Sequence, residues 1–192
     1  IIDACGDFVA IGISTAGQVD SEQGSIIYAN ENIPNYTGTR LKDILEEKYG
    51  KPVFVENDVN AAAIGEAYYG AAVGQKDFIC LTYGTGIGGA IIIDGKIYGG
   101  AKGVAGEMGH ILVHPDGRRC GCGQKGCYEQ YASCTALVRN SYEANPEWGS
   151  GRIIFKEFYA GNKQAEKIIN DWIEEIVLGL VTLVHIFNPS CI

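Results

Sequence analysis

Short apolar, β-branched runs alternate along this chain with longer stretches of helical spacing, a pattern that predicts an α/β protein. The first run, Phe8 to Ser14 (FVAIGIS), reads as a buried strand leading into the loop Thr15-Ala16-Gly17-Gln18. In α/β folds ligands gather at such carboxyl ends of strands. Ser25 to Tyr28 reads as a second strand. The polar loop after it, Asn30-Glu31-Asn32-Ile33-Pro34-Asn35, offers amide donors and acceptors that suit a polyol, although loops also use Asn for conformational reasons. Leu41, Ile44, Leu45 and Tyr49 share one helical face, and Gly50 and Pro52 end that helix. Pro52 to Glu56 (PVFVE) is the next strand. It delivers Asn57 and Asp58 to its tip, and an Ala-rich helix, Asn60 to Tyr69, begins close behind them. Asp58 at this junction suits a helix N-cap, a fixed general base, or both.

Phe78 to Tyr83 (FICLTY) is a further buried strand, followed by Gly84-Thr85-Gly86-Ile87-Gly88-Gly89 and a strand from Ala90 to Ile93. Asp94-Gly95 is a two-residue hairpin signal. The glycine run therefore lies between antiparallel strands, which excludes a dinucleotide fingerprint of the βαβ type. Its successive backbone N–H groups, with the Thr85 hydroxyl, form a candidate phosphate nest; a bulged hairpin loop is the alternative. Towards the end of the chain, Ser133 or Thr135 caps a helix that stops near Asn145-Pro146. Ile153, Ile154 and Phe158 form a short amphipathic stretch before Gly161. Ala165, Ile168, Ile169, Trp172, Ile176, Leu180 and Leu183 mark a long final helix, and a new apolar strand starts after Asn188-Pro189.

Chemistry concentrates between Gly106 and Ser133 (GEMGHILVHPDGRRCGCGQKGCYEQYAS). Glu107 and His110 stand three apart, Cys120, Cys122 and Cys127 follow closely, and Glu129 comes two residues after the last cysteine. One imidazole and three thiolates make a complete tetrahedral set for zinc, and a closed four-ligand site is structural, not catalytic. The glycines between them suit a tight knuckle wrapped round a metal. Free thiols or a disulfide are the alternatives, disfavoured by the close spacing in a reducing compartment.

Composition sets the outer limits. A chain of 192 residues with 46% hydrophobic content can bury a real core, as one domain or two small ones. A net charge of −8 and a pI near 4.9 argue against a nucleic-acid or anionic-membrane surface. The longest apolar stretch, Ile176 to Phe187, is too short to span a bilayer and contains His185. Cys5, Cys80, Cys134 and Cys191 are scattered, with no disulfide framework, so the expected location is the cytoplasm.

Four segments now fall in a recognisable order: GISTAGQVD, ENDVNAAAIGEA, LTYGTGIGG, and GEMGH with its CGCG and GCYEQYAS. With them the chain resembles the ROK proteins (repressors, open reading frames and kinases), bacterial sugar kinases and sugar-sensing repressors of the actin-like, ribonuclease-H-like ATPase superfamily. The resemblance covers nearly the whole chain. It implies two lobes with a sugar cleft between them: residues 1–72 as the remainder of an N-terminal small lobe, and 73–192 as a C-terminal large lobe containing a zinc knuckle over 106–129. Asp58 then matches the catalytic base and Asn57 a sugar contact. Glu107, His110 and Glu129 match sugar-binding residues; His110, Cys120, Cys122 and Cys127 match ligands of a structural zinc. Gly84, Thr85 and Gly86 match a phosphate-contacting loop for ATP with Mg²⁺, while Gly17 and Asn32 fall near positions lining the sugar pocket.

The implied activity is an ATP-dependent kinase acting on the 6-hydroxyl of glucose or an N-acetylhexosamine, in a homodimer with no nucleic acid or membrane partner through this segment. The alternative within the family is a sugar-responsive transcriptional repressor whose DNA-binding segment is not in this chain, and a third is a zinc-stabilised sugar-binding protein without catalysis. The amino-terminal Asp-Gly-Gly-Thr loop and the Gly-rich adenosine segment of the family's kinases are absent, and the chain opens at Ile1 and stops as a strand begins. It therefore reads as a fragment truncated at both ends, expected not to turn over ATP alone.

Overall fold

The computed structural model describes residues 2–29 and 33–192. The chain forms two compact units, Ile1–Lys76 with Ala90–Ala105, and Asp77–Gly89 with Gly106–Ile192.

In the first unit, chain order runs β1 (Ile11–Thr15), β2 (Gln18–Asp20), β3 (Ser25–Tyr28), α1 (Leu41–Tyr49), β4 (Val53–Asn57) and α2 (Asp58–Tyr69). β1 and β4 pair in parallel from Ile11↔Val53 to Thr15↔Asn57. β1 starts later than the apolar run from Phe8 because its ladder begins at Pro52, whose carbonyl accepts from the Ile11 N–H (2.9 Å). Pro52 has no N–H to donate, so β4 itself begins at Val53. Val9, ahead of the ladder, is exposed. β2 starts at Gln18, the last residue of the expected loop; it pairs antiparallel with β3 and buries Val19. α1 ends where Gly50 turns left-handed (φ 61°) and donates to the Glu46 carbonyl. Ile11, Val19, Ile26, Val53 and Val55 make the core, flanked by Phe8, Leu41, Leu45 and Tyr49.

β5 (Phe78–Tyr83) has the bounds its sequence predicts, whereas β6 (Ile87–Ile93) starts inside the glycine run. The reason is close packing within the second unit: a Cβ at Gly89 would lie 2.6 Å from the Gly106 carbonyl and 2.7 Å from Met108 Sδ. Gly89 thus fits a strand position that any side chain would spoil. The end of β6 turns through Asp94-Gly95, both with positive φ, into β7 (Lys96–Ile97), with Ile92↔Ile97 and Ile93↔Lys96 in register.

From Glu129 onward the second unit is mostly helical: α3 (Glu129–Ala132), α4 (Cys134–Ala144), α5 (Gly151–Tyr159) and α6 (Lys163–Phe187). Side-chain caps start three of these helices: Ser133 accepts from Ala136 N–H, Ser150 from Ile153 N–H, and Asn162 from Gln164 and Ala165 N–H. After α6 the chain turns back beside β5. Ser190 N–H donates to the Asp77 carbonyl (2.8 Å) and Ile79 N–H to the Cys191 carbonyl (3.1 Å), in a parallel bridge. Leu137, Trp148, Ile154, Ala165 and Ile169 form one core cluster, and Ile87, Tyr128 and Ala132 another. Ile154 is wholly buried. Ile154→Ala is expected to cost about 2–5 kcal/mol, read as a lower denaturant midpoint at unchanged slope. Among the described residues, no helix is long and apolar enough to cross a membrane.

Candidate functional site

In the first unit, the tip of the β1–β4 ladder presents Gly17, Asn57 and Asp58. Asn57 is the N-cap of α2: its Oδ1 accepts from Val59 N–H (2.9 Å) and Asn60 N–H (3.2 Å). Its Nδ2 donates to the Gly17 carbonyl (2.9 Å) and to Asp58 Oδ1 (3.0 Å). The capping role therefore falls to Asn57, and Asp58 is the first helical residue, exposed, with its carboxylate also accepting from Val59 N–H (3.0 Å). Held by two donors, the carboxylate is fixed in direction yet open to solvent. Gly17 has φ 102°, and a Cβ there would lie 2.7 Å from the Tyr28 carbonyl. Glycine is thus required at this turn. Thr15, at the end of β1, shares a 2.6 Å hydrogen bond with the Tyr36 hydroxyl, a pairing with no signal in the sequence. Asn32 lies outside the described residues.

In the second unit, His110, Cys120, Cys122 and Cys127 bring their ligand atoms within 4.8 Å of one another. Cys122 and Cys127 sulfurs are 3.5 Å apart, and Cys120 Sγ is 3.6 Å from His110 Nδ1. A tetrahedral zinc with Zn–S near 2.3 Å and Zn–N near 2.0 Å would set ligand atoms about 3.5–3.8 Å apart, so the donor set fits zinc in number and type, and these two pairs lie at that spacing. Short hydrogen bonds wind the knuckle: Cys120 N–H to Gln124 O (2.9 Å), Gly123 N–H to Cys120 O (3.1 Å) and Gly126 N–H to Arg118 O (2.8 Å). Burial pushes the Cys120 thiol up to about 12 and raises that of Cys127, whereas the backbone N–H of Gln124 lowers that of Cys122. A cation entering here must displace protons from the two buried thiols.

Two carboxylates border this cluster. His110 turns Nδ1 towards the thiols and towards Glu129 Oε1 (3.9 Å), and Nε2 towards Glu107 Oε2 (3.9 Å). Metal ligation through Nδ1 leaves Nε2 to carry a proton towards a ligand. Glu129 Oε1 also lies 3.1 Å from Cys120 Sγ. Its other oxygen faces the glycine loop, for a Cβ on Gly86 would come within 2.6 Å of Oε2. The loop Gly84–Gly86 joins β5 to β6. Gly84 N–H is engaged with the Gly86 carbonyl (3.0 Å), and Gly84 O accepts from Cys134 N–H (3.0 Å). Thr85, at the tip of this loop, is exposed.

Contacts not foreseen from the sequence brace the knuckle against α6. His114 Nε2 meets Glu175 Oε2 at 2.8 Å, and Trp172 Nε1 donates to the Ala132 (2.9 Å) and Ser133 (3.1 Å) carbonyls. The knuckle also has a polar seam to α4, where Arg118 donates to the Gln130 carbonyl (3.2 Å) and to Asn140 Oδ1 (3.0 Å).

The fold has known counterparts. The model of the ROK family matches residues 2–192, and the chain belongs to that family. Its fold is that of the actin-like ATPases. Among individual relatives, it is 41% identical to a glucokinase of Streptomyces coelicolor over 201 residues, covering 96% of this chain and 63% of that one. The crystal structure of a Streptomyces griseus ROK glucokinase in complex with glucose and AMPPNP superposes with a TM-score of 0.81 at 42% identity, covering 96% of this chain and 64% of the other. The xylose repressor of Bacillus subtilis is 33% identical over 184 residues, covering 96% of this chain and 47% of the repressor. The chain spans about three-fifths of the length of the curated glucokinases it matches.

Proposed function

We propose that this protein acts as an ATP-dependent hexose kinase, phosphorylating the 6-hydroxyl of glucose or an N-acetylhexosamine. The observation that carries the reading is the 42% likeness to a glucokinase whose structure holds glucose and an ATP analogue. In this reading Asp58 is the general base. A sugar hydroxyl is a poor nucleophile, and a carboxylate helps by taking its proton as the oxygen–phosphorus bond forms and the bond to ADP breaks. Asn57 contacts the sugar while capping α2, so its amide is rigid before the sugar arrives. Glu107 and Glu129 accept from sugar hydroxyls, His110 donates through Nε2, and Gly17 and Asn32 are further sugar-binding residues. Gly84, Thr85 and Gly86 serve the phosphates of ATP, and Mg²⁺, when bound, neutralises their charge. His110, Cys120, Cys122 and Cys127 would hold a structural zinc, and ligation would fix the orientation of the His110 imidazole.

The test is ADP release by the full-length gene product across a panel of hexoses and N-acetylhexosamines. Turnover with at least one of them is the expected result, and none with any sinks the reading. A second reading, a sugar-responsive repressor, rests on the likeness to the xylose repressor. Sugar binding without ADP release, together with sugar-dependent release from an operator DNA, would favour it.

A further inference from the structure

Tyr128 stands between Cys127 and Glu129 and is wholly buried. Its hydroxyl donates to the Ile176 carbonyl on α6 at 2.7 Å. A phenol has one proton, so the 2.7 Å contact with the Tyr83 hydroxyl must be donated by Tyr83. The two rings meet edge to face, 6.3 Å between centroids at 84°. Burial raises both phenols above their ordinary range, so this relay stays neutral. Beneath the Tyr128 ring lies Gly179 of α6, where any Cβ would overlap ring carbons. The Tyr128 backbone N–H donates to the Ile111 carbonyl (2.9 Å), one residue past His110. Tyr83 is the last residue of β5, immediately before Gly84.

The Tyr128 side chain thus joins the long helix to the last residue of β5, and its backbone N–H holds the segment after His110, while its chain neighbours are a thiol of the cluster and the carboxylate that meets Gly86. A core of this size could be filled by Phe or Leu. The hydroxyl relay adds direction, because a hydrogen bond to one helix carbonyl fixes the ring along the axis of α6 as well as in depth. We propose that Tyr128 is a positioning residue, setting Cys127 and Glu129 against α6 and the glycine loop so that the metal cluster and the sugar carboxylate keep their geometry. For its sugar arm the proposal rests on the hexose-kinase reading; its metal arm does not.

The experiment uses the full-length gene product and Tyr128→Phe, which keeps the ring and removes the relay. The KM for hexose is expected to rise about tenfold, the KM for ATP to stay within about twofold, and a chelator to withdraw zinc several-fold faster. Either reading unchanged in a folded variant overturns the proposal. So does a parallel rise of both KM values, the mark of general loosening, and so does an unaltered protein that holds no zinc. If Tyr128→Phe does not fold, Tyr83→Phe removes only the hydrogen bond arriving from β5, and the same split is expected at about threefold. If the unaltered protein phosphorylates no hexose, the kinase reading falls by itself, and zinc withdrawal alone decides the role of Tyr128.

Discussion

Asp58→Asn is expected to lower hexose phosphorylation by about 10²–10⁴-fold while leaving the dissociation constant for the sugar within a few-fold. Asn57 takes over the capping of α2, so Asp58 is not needed to start the helix and its substitution does not unwind it. Two donors, Val59 N–H and Asn57 Nδ2, fix one carboxylate oxygen, and the exposed side chain leaves the other for a substrate. Asn keeps the size, and its Oδ1 can keep both hydrogen bonds, but it cannot accept a proton at neutral pH. The loss must therefore appear in kcat and not in binding. Steady-state ADP release gives the first quantity and calorimetric titration of the sugar the second. A variant with unchanged kcat would remove Asp58 from the chemistry. One with unchanged chemistry per bound complex but a large loss of sugar affinity would make it a binding residue instead.

What the sequence reveals and what it hides divide along a physical line. Local signals were legible: FICLTY bounded β5, Gly50 ended α1 through its positive φ, and Asp94-Gly95 made the hairpin. The four cluster residues were legible too, because their spacing within one segment is itself the chemical signal. The start of β6 was not, since Gly88 and Gly89 have low strand propensity, and the close packing of Gly89 against Gly106 and Met108 shows only in the fold. β2, three residues long, has no periodicity to read. Asn57 and Asp58 were both visible at the junction, but which of them caps the helix depends on side-chain torsion, which composition does not encode. Tyr128, His114 and the Ala132 carbonyl find their partners on α6 some 40 to 61 residues away. Only the folded chain brings those pairs together.

The second large effect concerns the cluster. Cys127→Ser is expected to abolish stoichiometric zinc and to weaken hexose binding by about 10–100-fold, with a smaller change for ATP. Cys127 is wholly buried, so a serine there leaves a polar hydroxyl and no thiolate. With one donor gone, the set is no longer a closed structural site. Structural zinc contributes about 10–16 kcal/mol to small domains that lack another core, as much as a whole domain's net stability. The second unit does have other cores, around Ile154 and Ile169, so it should stay folded while the knuckle loosens. Loosening reaches the sugar side directly, since Glu129 follows Cys127 by two residues and the Tyr128 N–H between them donates to the Ile111 carbonyl, next to His110. Elemental analysis gives the zinc content, and thermal melts with and without chelator separate a local transition from a global one. Zinc added back should restore chelated wild type and leave Cys127→Ser unrestored. A wild-type protein purified without zinc that binds hexose at full strength would show that the thiols serve packing alone.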